Sequence, residues 1–286
     1  MKILHVGIYD KLLPPFIELI KKSFDFNQHV FLLHLGMGNI PHDQNVKVYE
    51  RKIIERLKFY FVALLKMHRS DKLILHGLFD IKLIFVLFFT PWLLRKCYWA
   101  IWGGDLYVYK SYEVPAKQGE TKNILVGNSA DPSNNHLKAL EKLLPFKEQD
   151  IAIYCPLSYG NHEHAQKVIK QGKEWFGDKF KPLTKFMPFD EYLKLLGTID
   201  IAIFNHKRQQ AMGNTITLLG LGKTVYMRSD TTQWQFFQNK QITVGDAEEI
   251  KDLSVLDVSG NRDKIKQHFS KENFISQLES IFESGN

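Results

Sequence analysis

Residues 123–136 read Asn-Ile-Leu-Val-Gly-Asn-Ser-Ala-Asp-Pro-Ser-Asn-Asn-His. A short apolar run stops at a glycine and a polar turn follows. Ser133 is a suitable N-cap for a helix predicted over 134–144. This is one strand–turn–helix step of a parallel α/β unit. The same step recurs in both directions. Upstream, strands are predicted at 2–8, 29–35, 73–76 and 97–102, with a helix over 15–24. Residues 111–120, polar and carrying Pro115 and Gly119, read as a linker. Downstream, strands at 151–155, 200–204 and 224–228 alternate with helices at 164–176, 190–196 and 215–221. Such alternation predicts parallel sheets covered on both faces. Two runs of it predict two Rossmann-like domains, over residues 1–117 and 118–262. A helical tail, 263–286, is expected to pack back on the first.

Composition narrows the class. The 286 residues are 44% apolar and 24% charged, which excludes disorder, a collagen repeat and a heptad rod. Cys97 and Cys155, with no C-x-x-C, make no disulfide framework and read as buried thiols. The apolar run near the N-terminus is broken by His5 and Asp10, too short for a signal peptide. The longest apolar stretch, Leu83 to Leu94, falls short of the ~20 residues a membrane span needs. It reads as a buried helix feeding a strand, with a segment dipping into a membrane as the alternative.

The net charge is +7, unevenly placed. Residues 1–120 hold 17 Lys/Arg against 11 Asp/Glu, or +6; residues 121–286 hold 21 against 20, or +1. Arg51, Lys52, Arg56, Lys58 and Lys66 belong to the densest basic stretch. Ile53, Ile54, Leu57, Tyr60, Phe61, Leu64 and Leu65 recur there at helical spacing, giving an amphipathic helix with a cationic face. That face is either a solvated surface over a core helix or an attraction for anionic lipid headgroups or a lipid diphosphate. The aromatic residues cluster in apolar strands and helices, not in a basic stacking motif, so nucleic acid is not expected as a partner.

In open α/β sheets ligands bind beyond the carboxyl ends of the strands. After strand 123–126, Gly127, Asn128 and Ser129 either line an anion site at a helix N-terminus or form a capped structural turn. The stretch is neither G-x-G-x-x-G nor a Walker loop. After strand 200–204, residues 205–215 carry His206, Lys207, Arg208, Gln209, Gln210, Gly213 and Asn214, with a helix expected from Thr215. A guanidinium beside a helix N-terminus suits a phosphate. His5, Asp10, His76 and Asp105 lie at strand ends, where a base for a hydroxyl nucleophile would sit. His162-Glu163-His164 suggests metal, but no third ligand follows at sensible spacing. No G-x-S-x-G elbow occurs.

The blocks Ala100–Tyr107 (AIWGGDLY), Ile124–His136, Met187–Leu196 and Arg208–Leu219, with His76–Asp80 and Gln233-Trp234, resemble the bacterial TDP-Fuc4NAc transferases. This family is also called 4-alpha-L-fucosyltransferases, or glycosyltransferase family 56. Only Val108 to Asn123 separates the first two blocks, shorter than is usual in the family. The resemblance implies a GT-B architecture, two Rossmann-like domains facing across a cleft, working without metal or cofactor. It implies that the second domain binds the nucleotide-sugar through Gly127, Asn128, Ser129, Arg208, Gln209, Gln210, Gly213, Asn214 and Thr215. The basic first domain would take a lipid-linked saccharide at the inner face of the bacterial membrane, with the chain cytoplasmic and peripheral. Asp105 and His76, in matched blocks, become the expected bases. The implied reaction moves a Fuc4NAc-like sugar from a dTDP-sugar to that acceptor. Two alternatives stay open: a GT-B transferase with another donor acting on lipooligosaccharide or capsule, and a non-catalytic nucleotide-sugar-binding protein.

Overall fold

A computed structural model describes residues 1–10, 13–35, 43–50, 52–77, 80–100 and 119–283. The chain divides into two compact units, residues 1–104 with 274–286 and residues 105–273.

The first unit runs β1 (Ile3–Tyr9), α1 (Leu13–Ser23), β2 (His29–Leu35), β3 (Val46–Tyr49), α2 (Ile53–Arg69), β4 (Lys72–His76), α3 (Ile81–Phe89) and β5 (Cys97–Ala100). The sheet order is β3-β2-β1-β4-β5, with every pairing parallel. The two-residue period of a strand sorts its side chains between two cores. Ile3, Phe31, Leu33 and Ile74 pack with α1 and with α10 (Lys271–Glu283). Leu4, Val6, Leu32, Leu73 and Leu75 pack with α2 and α3. Each such buried aliphatic contributes about 1.5–3 kcal/mol. The ammonium of buried Lys72 donates to the Ile281 carbonyl, tying β4 to α10.

Two helices of this unit depart from the sequence reading. In α2 the buried positions are Phe59, Ala63 and Met67, an i, i+4, i+8 stripe. The expected apolar face, Ile53, Ile54, Leu57, Phe61 and Leu65, points outward. The sheet accepts one stripe, and the aromatic-to-methionine row fills it. The segment read as a buried helix is α3, of which only Leu83 and Leu87 are buried. Ile81, Ile84, Phe85, Phe88 and Phe89 are exposed. A nine-residue helix that is apolar but for Lys82 covers the sheet with one side and leaves the rest uncovered. Among the described residues no helix is long and apolar enough to cross a membrane.

The second unit runs β6 (Lys122–Val126), α4 (His136–Glu141), β7 (Ile151–Pro156), α5 (His162–Phe176), β8 (Phe180–Leu183), α6 (Phe189–Thr198), β9 (Ile201–Phe204), α7 (Met212–Gly220), β10 (Thr224–Met227), α8 (Thr232–Asn239), β11 (Gly245–Asp246) and α9 (Asn261–Phe269). Its order is β11-β10-β9-β6-β7-β8, again parallel. Ile124, Val126, Ile153 and Ile203 face one core, and Leu125, Ala202, Phe204 and Val225 the other. Ile265 of α9 belongs to the second of these cores. The chain therefore returns to the first unit at Phe274, later than residue 263.

The helix expected from residue 134 starts at His136. Asp131, not Ser133, caps a short 3-10 turn over Pro132–Asn134 by accepting from the Ser133 amide. Asn135 then adopts a left-handed conformation, φ 55°, which breaks the run.

Candidate active site

In the second sheet the chain leaves β6 toward β7 on one side and β9 pairs on the other. The carboxyl ends of β6 and β9 thus flank a topological switch point, where an open α/β sheet forms a crevice. The loops that leave these two strands are 127–135 and 205–211.

The first loop needs its glycine. Gly127 has φ +70°, and a Cβ there would lie 2.6 Å from His136 Nε2 and 2.9 Å from Asn134 Oδ1. Asn134, 1% exposed, is the hub. Its Oδ1 accepts from the Asn128 amide and from His206 Nε2, each at 2.9 Å. Its Nδ2 donates to Ser129 Oγ at 3.3 Å. Ser129 is buried, whereas Asn128 is half-exposed and donates through Nδ2 to Tyr159 Oη.

The second loop is bound to the first. The Lys207 amide donates to the Ser133 carbonyl at 3.2 Å. Arg208 Nη2 lies 3.2 Å from Asp131 Oδ2, and Nε donates to Ser133 Oγ at 3.3 Å. With the Gln210 amide oriented by its partners, its oxygen accepts from Arg208 Nε and Nη2, each at 2.8 Å. The guanidinium is held in a fixed plane while its side chain stays 63% exposed. Arg208 and Ser129 therefore lie within one hydrogen-bonded network, joined through Asp131, whose carboxylate pairs with the guanidinium and whose amide donates to Ser129 Oγ at 3.4 Å. Lys207 and Gln209 are exposed.

The helix α7 begins at Met212, three residues before the expected Thr215, because Ala211 turns the chain with φ +53°. Gly213 and Asn214 lie in its first turn and are half-buried. Asn214 Nδ2 donates to Tyr192 Oη at 3.0 Å. Thr215 is buried, its hydroxyl donating to the Ala211 carbonyl and accepting from Gln233 Nε2. It braces the helix start and presents no hydroxyl outward. Gln233 Oε1 also accepts from the Gln210 amide, so α8 supports the same loop.

Residues of the same two loops that the resemblance does not assign to the donor complete the site. Asn205 is fully buried and, among the described residues, neither of its amide atoms has a partner. An unpaired buried amide costs about 1–3 kcal/mol, a cost a polar ligand would remove. His206 is buried, and burial lowers its pKa to about 4. His136, its Nδ1 3.0 Å from His164 Nε2, is likewise lowered to about 3 by burial and by its neighbours His164 and His206. Both rings are neutral at pH 7. Asn205 and His206 follow β9 directly, so strand-end position was the signal available for them.

In the first unit, His76 is 4% exposed and its Nε2 lies 3.0 Å from His5 Nδ1. His5 Nε2 in turn meets His29 Nδ1 at 2.9 Å. Burial lowers His76 to about 3 and His29 to about 4. The His76 ring is thus enclosed by protein and neutral at pH 7. Asp105 and Arg51 lie outside the described residues. Lys52 pairs with Glu50 and Lys58 with Glu55, both at 2.8 Å. Arg56 is exposed and Lys66 half-buried. Among the described residues no group of three or more His, Cys, Asp or Glu is placed to hold a metal ion.

Solved structures share this architecture. A glycosyltransferase from Rickettsia africae superposes with a TM-score of 0.64 at 13% identity, covering 99% of both chains. Anabaena Alr3699/HepE, solved with UDP and glucose, gives 0.62 at 12% identity over 100% of both. The N-terminal domain of Candida albicans trehalose-6-phosphate phosphatase gives 0.65 at 10% identity, covering 98% of this chain and 96% of its own. The fold is that of a GT-B glycosyltransferase.

The model of the family described as 4-alpha-L-fucosyltransferase, glycosyl transferase group 56, matches residues 109–283. The chain belongs to that family and is a hexosyltransferase.

Proposed function

We propose that this enzyme transfers a Fuc4NAc-like deoxy-amino sugar from a dTDP-sugar to a lipid-linked saccharide in bacterial surface polysaccharide synthesis. One observation carries the donor half of this reading. Arg208, Gly127, the start of α7 and the unpaired amide of Asn205 converge at the β6/β9 switch point. A nucleoside diphosphate offers acceptors to the guanidinium and to the free amides of the helix start, and polar groups for Asn205.

In this reading the acceptor oxygen attacks the anomeric carbon as the bond to the diphosphate breaks. Charge developing on the diphosphate is stabilised by Arg208 and the first turn of α7, and the rest of catalysis is positioning. Support for a lipid-linked acceptor and for peripheral contact with the inner face of the membrane comes from the first unit. There α2 and α3 expose apolar rows beside Lys66, Arg69 and Lys82. The domain roles follow, with acceptor on the first unit and donor on the second.

The test is release of dTDP from dTDP-Fuc4NAc by the purified chain with a lipid-linked disaccharide in detergent. Release that depends on the acceptor supports the proposal; none overturns it. A thermal-shift panel of dTDP, UDP and GDP fixes the donor base, since a nucleotide at 100 times its Kd adds about 2.7 kcal/mol. Stabilisation by UDP alone moves the reading to another donor. Stabilisation by dTDP without transfer keeps the donor and rejects this acceptor.

A further inference from the structure

Arg208 leaves the sheet with the loop after β9, yet two of the three groups that hold its guanidinium come from the loop after β6. Asp131 Oδ2 lies 3.2 Å from Nη2, and Ser133 Oγ accepts from Nε at 3.3 Å. The third is Gln210, whose oxygen accepts from Nε and Nη2 at 2.8 Å each. All these contacts fall on one edge of the fork. Among the described residues Nη1 has no partner. Joining the two loops does not require this arrangement, since the Lys207 amide already donates to the Ser133 carbonyl and His206 to Asn134. Nor does stability: an ion pair this exposed contributes little, and holding a long side chain in one geometry costs rotamer freedom.

Asp131 is itself fixed from behind. Its Oδ1 accepts from the Ser133 amide at 2.8 Å and from the Ser133 hydroxyl at 2.6 Å, which leaves Oδ2 for the guanidinium. The preceding residue is pinned to the loop after β7. There the Ala130 amide donates to the Tyr159 carbonyl at 2.7 Å, and the Asn161 amide to the Ala130 carbonyl at 3.2 Å. Gly160 allows that approach, because a Cβ there would lie 2.8 Å from the Ala130 carbonyl carbon and 2.9 Å from the Asp131 nitrogen. The Ser133 hydrogen bonds, and then the Arg208 charge, hold the Asp131 carboxyl below its usual pKa. It is a carboxylate at pH 7 and a permanent acceptor.

We infer that Asp131 is a positioning residue, which sets the plane of Arg208 and leaves Nη1 to the donor diphosphate. The inference rests on the diphosphate reading proposed above. An arginine free to move must be ordered when the anion arrives. One ordered beforehand acts on the charge as it develops, without reorganising. The Nε–Nη2 edge, which would grip a phosphate through two parallel bonds, is occupied, so the contact runs through Nη1. Asp131 carries a charge of the same sign as the diphosphate. Acting only through that charge, it would oppose the anion, and its removal would tighten dTDP binding. Acting through Arg208, its removal weakens binding. The two effects have opposite signs, so one substitution separates them.

The test is a cycle of D131N, R208A and the double variant in the full chain, with dTDP-Fuc4NAc and a lipid-linked saccharide in detergent. Asparagine caps a turn as well as aspartate does, so D131N should keep the wild-type unfolding temperature. It offers one acceptor oxygen where Asp131 uses two. We expect kcat to fall about tenfold, less than the ~100-fold for loss of Arg208. KM for the dTDP-sugar should change by no more than about threefold, because charge grows on the diphosphate only as the bond breaks. The thermal shift given by dTDP, which carries that charge in full, should shrink. In the R208A background D131N should cost nothing further, as befits residues acting as one unit. The assignment is overturned by a wild-type kcat in D131N, by a loss confined to KM, by tighter dTDP binding, or by an undiminished loss in R208A. Should D131N not fold, D131S, which also caps a turn, takes its place with the same criteria. Failure of both to fold makes Asp131 structural and overturns the assignment too. Normal turnover in R208A, or no transfer by the wild type, instead fails the reading beneath it, and this assignment with it.

Discussion

His206 Nε2 lies 2.9 Å from Asn134 Oδ1, joining the loop after β9 to the loop after β6. The same oxygen accepts from the Asn128 amide, so the imidazole must be the donor and carries its proton on Nε2. The two loops of the proposed donor site are thus held in register by one buried side-chain oxygen. Asn134→Ala removes that oxygen and strands two donors, of which His206 Nε2 is buried. The expected loss is about 2 kcal/mol, read as a lower urea midpoint, together with weaker stabilisation by dTDP. An Asn134→Ala protein as stable as wild type would show that the brace carries no energy.

Gly127 tests the same loop from the backbone. Its φ of +70° and the 2.6 Å approach to His136 Nε2 mean that alanine meets both conformational and steric resistance. Gly222, with φ +74° and nothing within 4 Å of an added methyl, meets only the first. Gly222→Ala should cost about 1–2 kcal/mol, the left-handed penalty, and Gly127→Ala clearly more. The comparison is made by thermal unfolding of the two variants side by side. Equal shifts would remove the argument for a crowded turn at Gly127.

Arg208 is exposed and tied to Asp131, Ser133 and Gln210. Nothing buried depends on it, so Arg208→Ala should keep the wild-type unfolding temperature. Transfer should fall about 100-fold, the scale for a removed charge stabiliser. Arg208→Lys should recover only part, because an ammonium cannot reproduce the planar fork. Near-normal turnover in the folded alanine variant would detach the diphosphate from this residue.

Burial of neutral histidines sets the acid stability. His29 and His206 titrate near 4 and His76 and His136 near 3 in the folded chain, against 6.5 for a free side chain. Below pH 6.5 the unfolded chain binds protons that the folded chain refuses. Stability is therefore complete above pH 6.5 and falls as pH drops toward 4. The loss by pH 5 is on the order of 1–2 kcal/mol per buried histidine. Urea midpoints at pH 7.5, 6 and 5 check this; a constant midpoint would contradict the buried-neutral assignment.

The alternation of apolar runs and turns carried the fold, since strands at 3–9, 122–126 and 201–204 are continuous apolar segments that end in polar or glycine turns. The two loops at the switch point were legible for the same reason, since strand ends fix where they leave the sheet. The pairing of His34 with Asp80 was not. His34 sits within an apolar strand and Asp80 opens an apolar helix, and only tertiary pairing brings them to 3.5 Å. The outward face of α2 was misread because spacing identifies a stripe without saying which of two stripes meets the sheet. Phe59, Ala63 and Met67 won that contact over Ile53, Leu57 and Leu65.

The displaced stripe leads to the last prediction. Ile53 and Leu57 on α2, and Phe85, Phe88 and Phe89 on α3, are all more than half exposed. Water-facing phenylalanines in such number are unfavourable unless a partner covers them, at about 25 cal/mol per Å² of apolar area. Nearby cations, each worth about 1 kcal/mol close to an anionic surface, favour a bilayer with acidic headgroups. The chain should co-sediment with vesicles of phosphatidylglycerol and phosphatidylcholine, less with phosphatidylcholine alone, and less again at high salt. Phe88→Glu with Phe89→Glu should abolish binding without lowering the unfolding temperature, because neither ring is buried. Transfer to a detergent-dispersed acceptor should survive in that variant while transfer to a vesicle-embedded one falls. Equal vesicle binding by wild type and variant would assign these rings to some other contact.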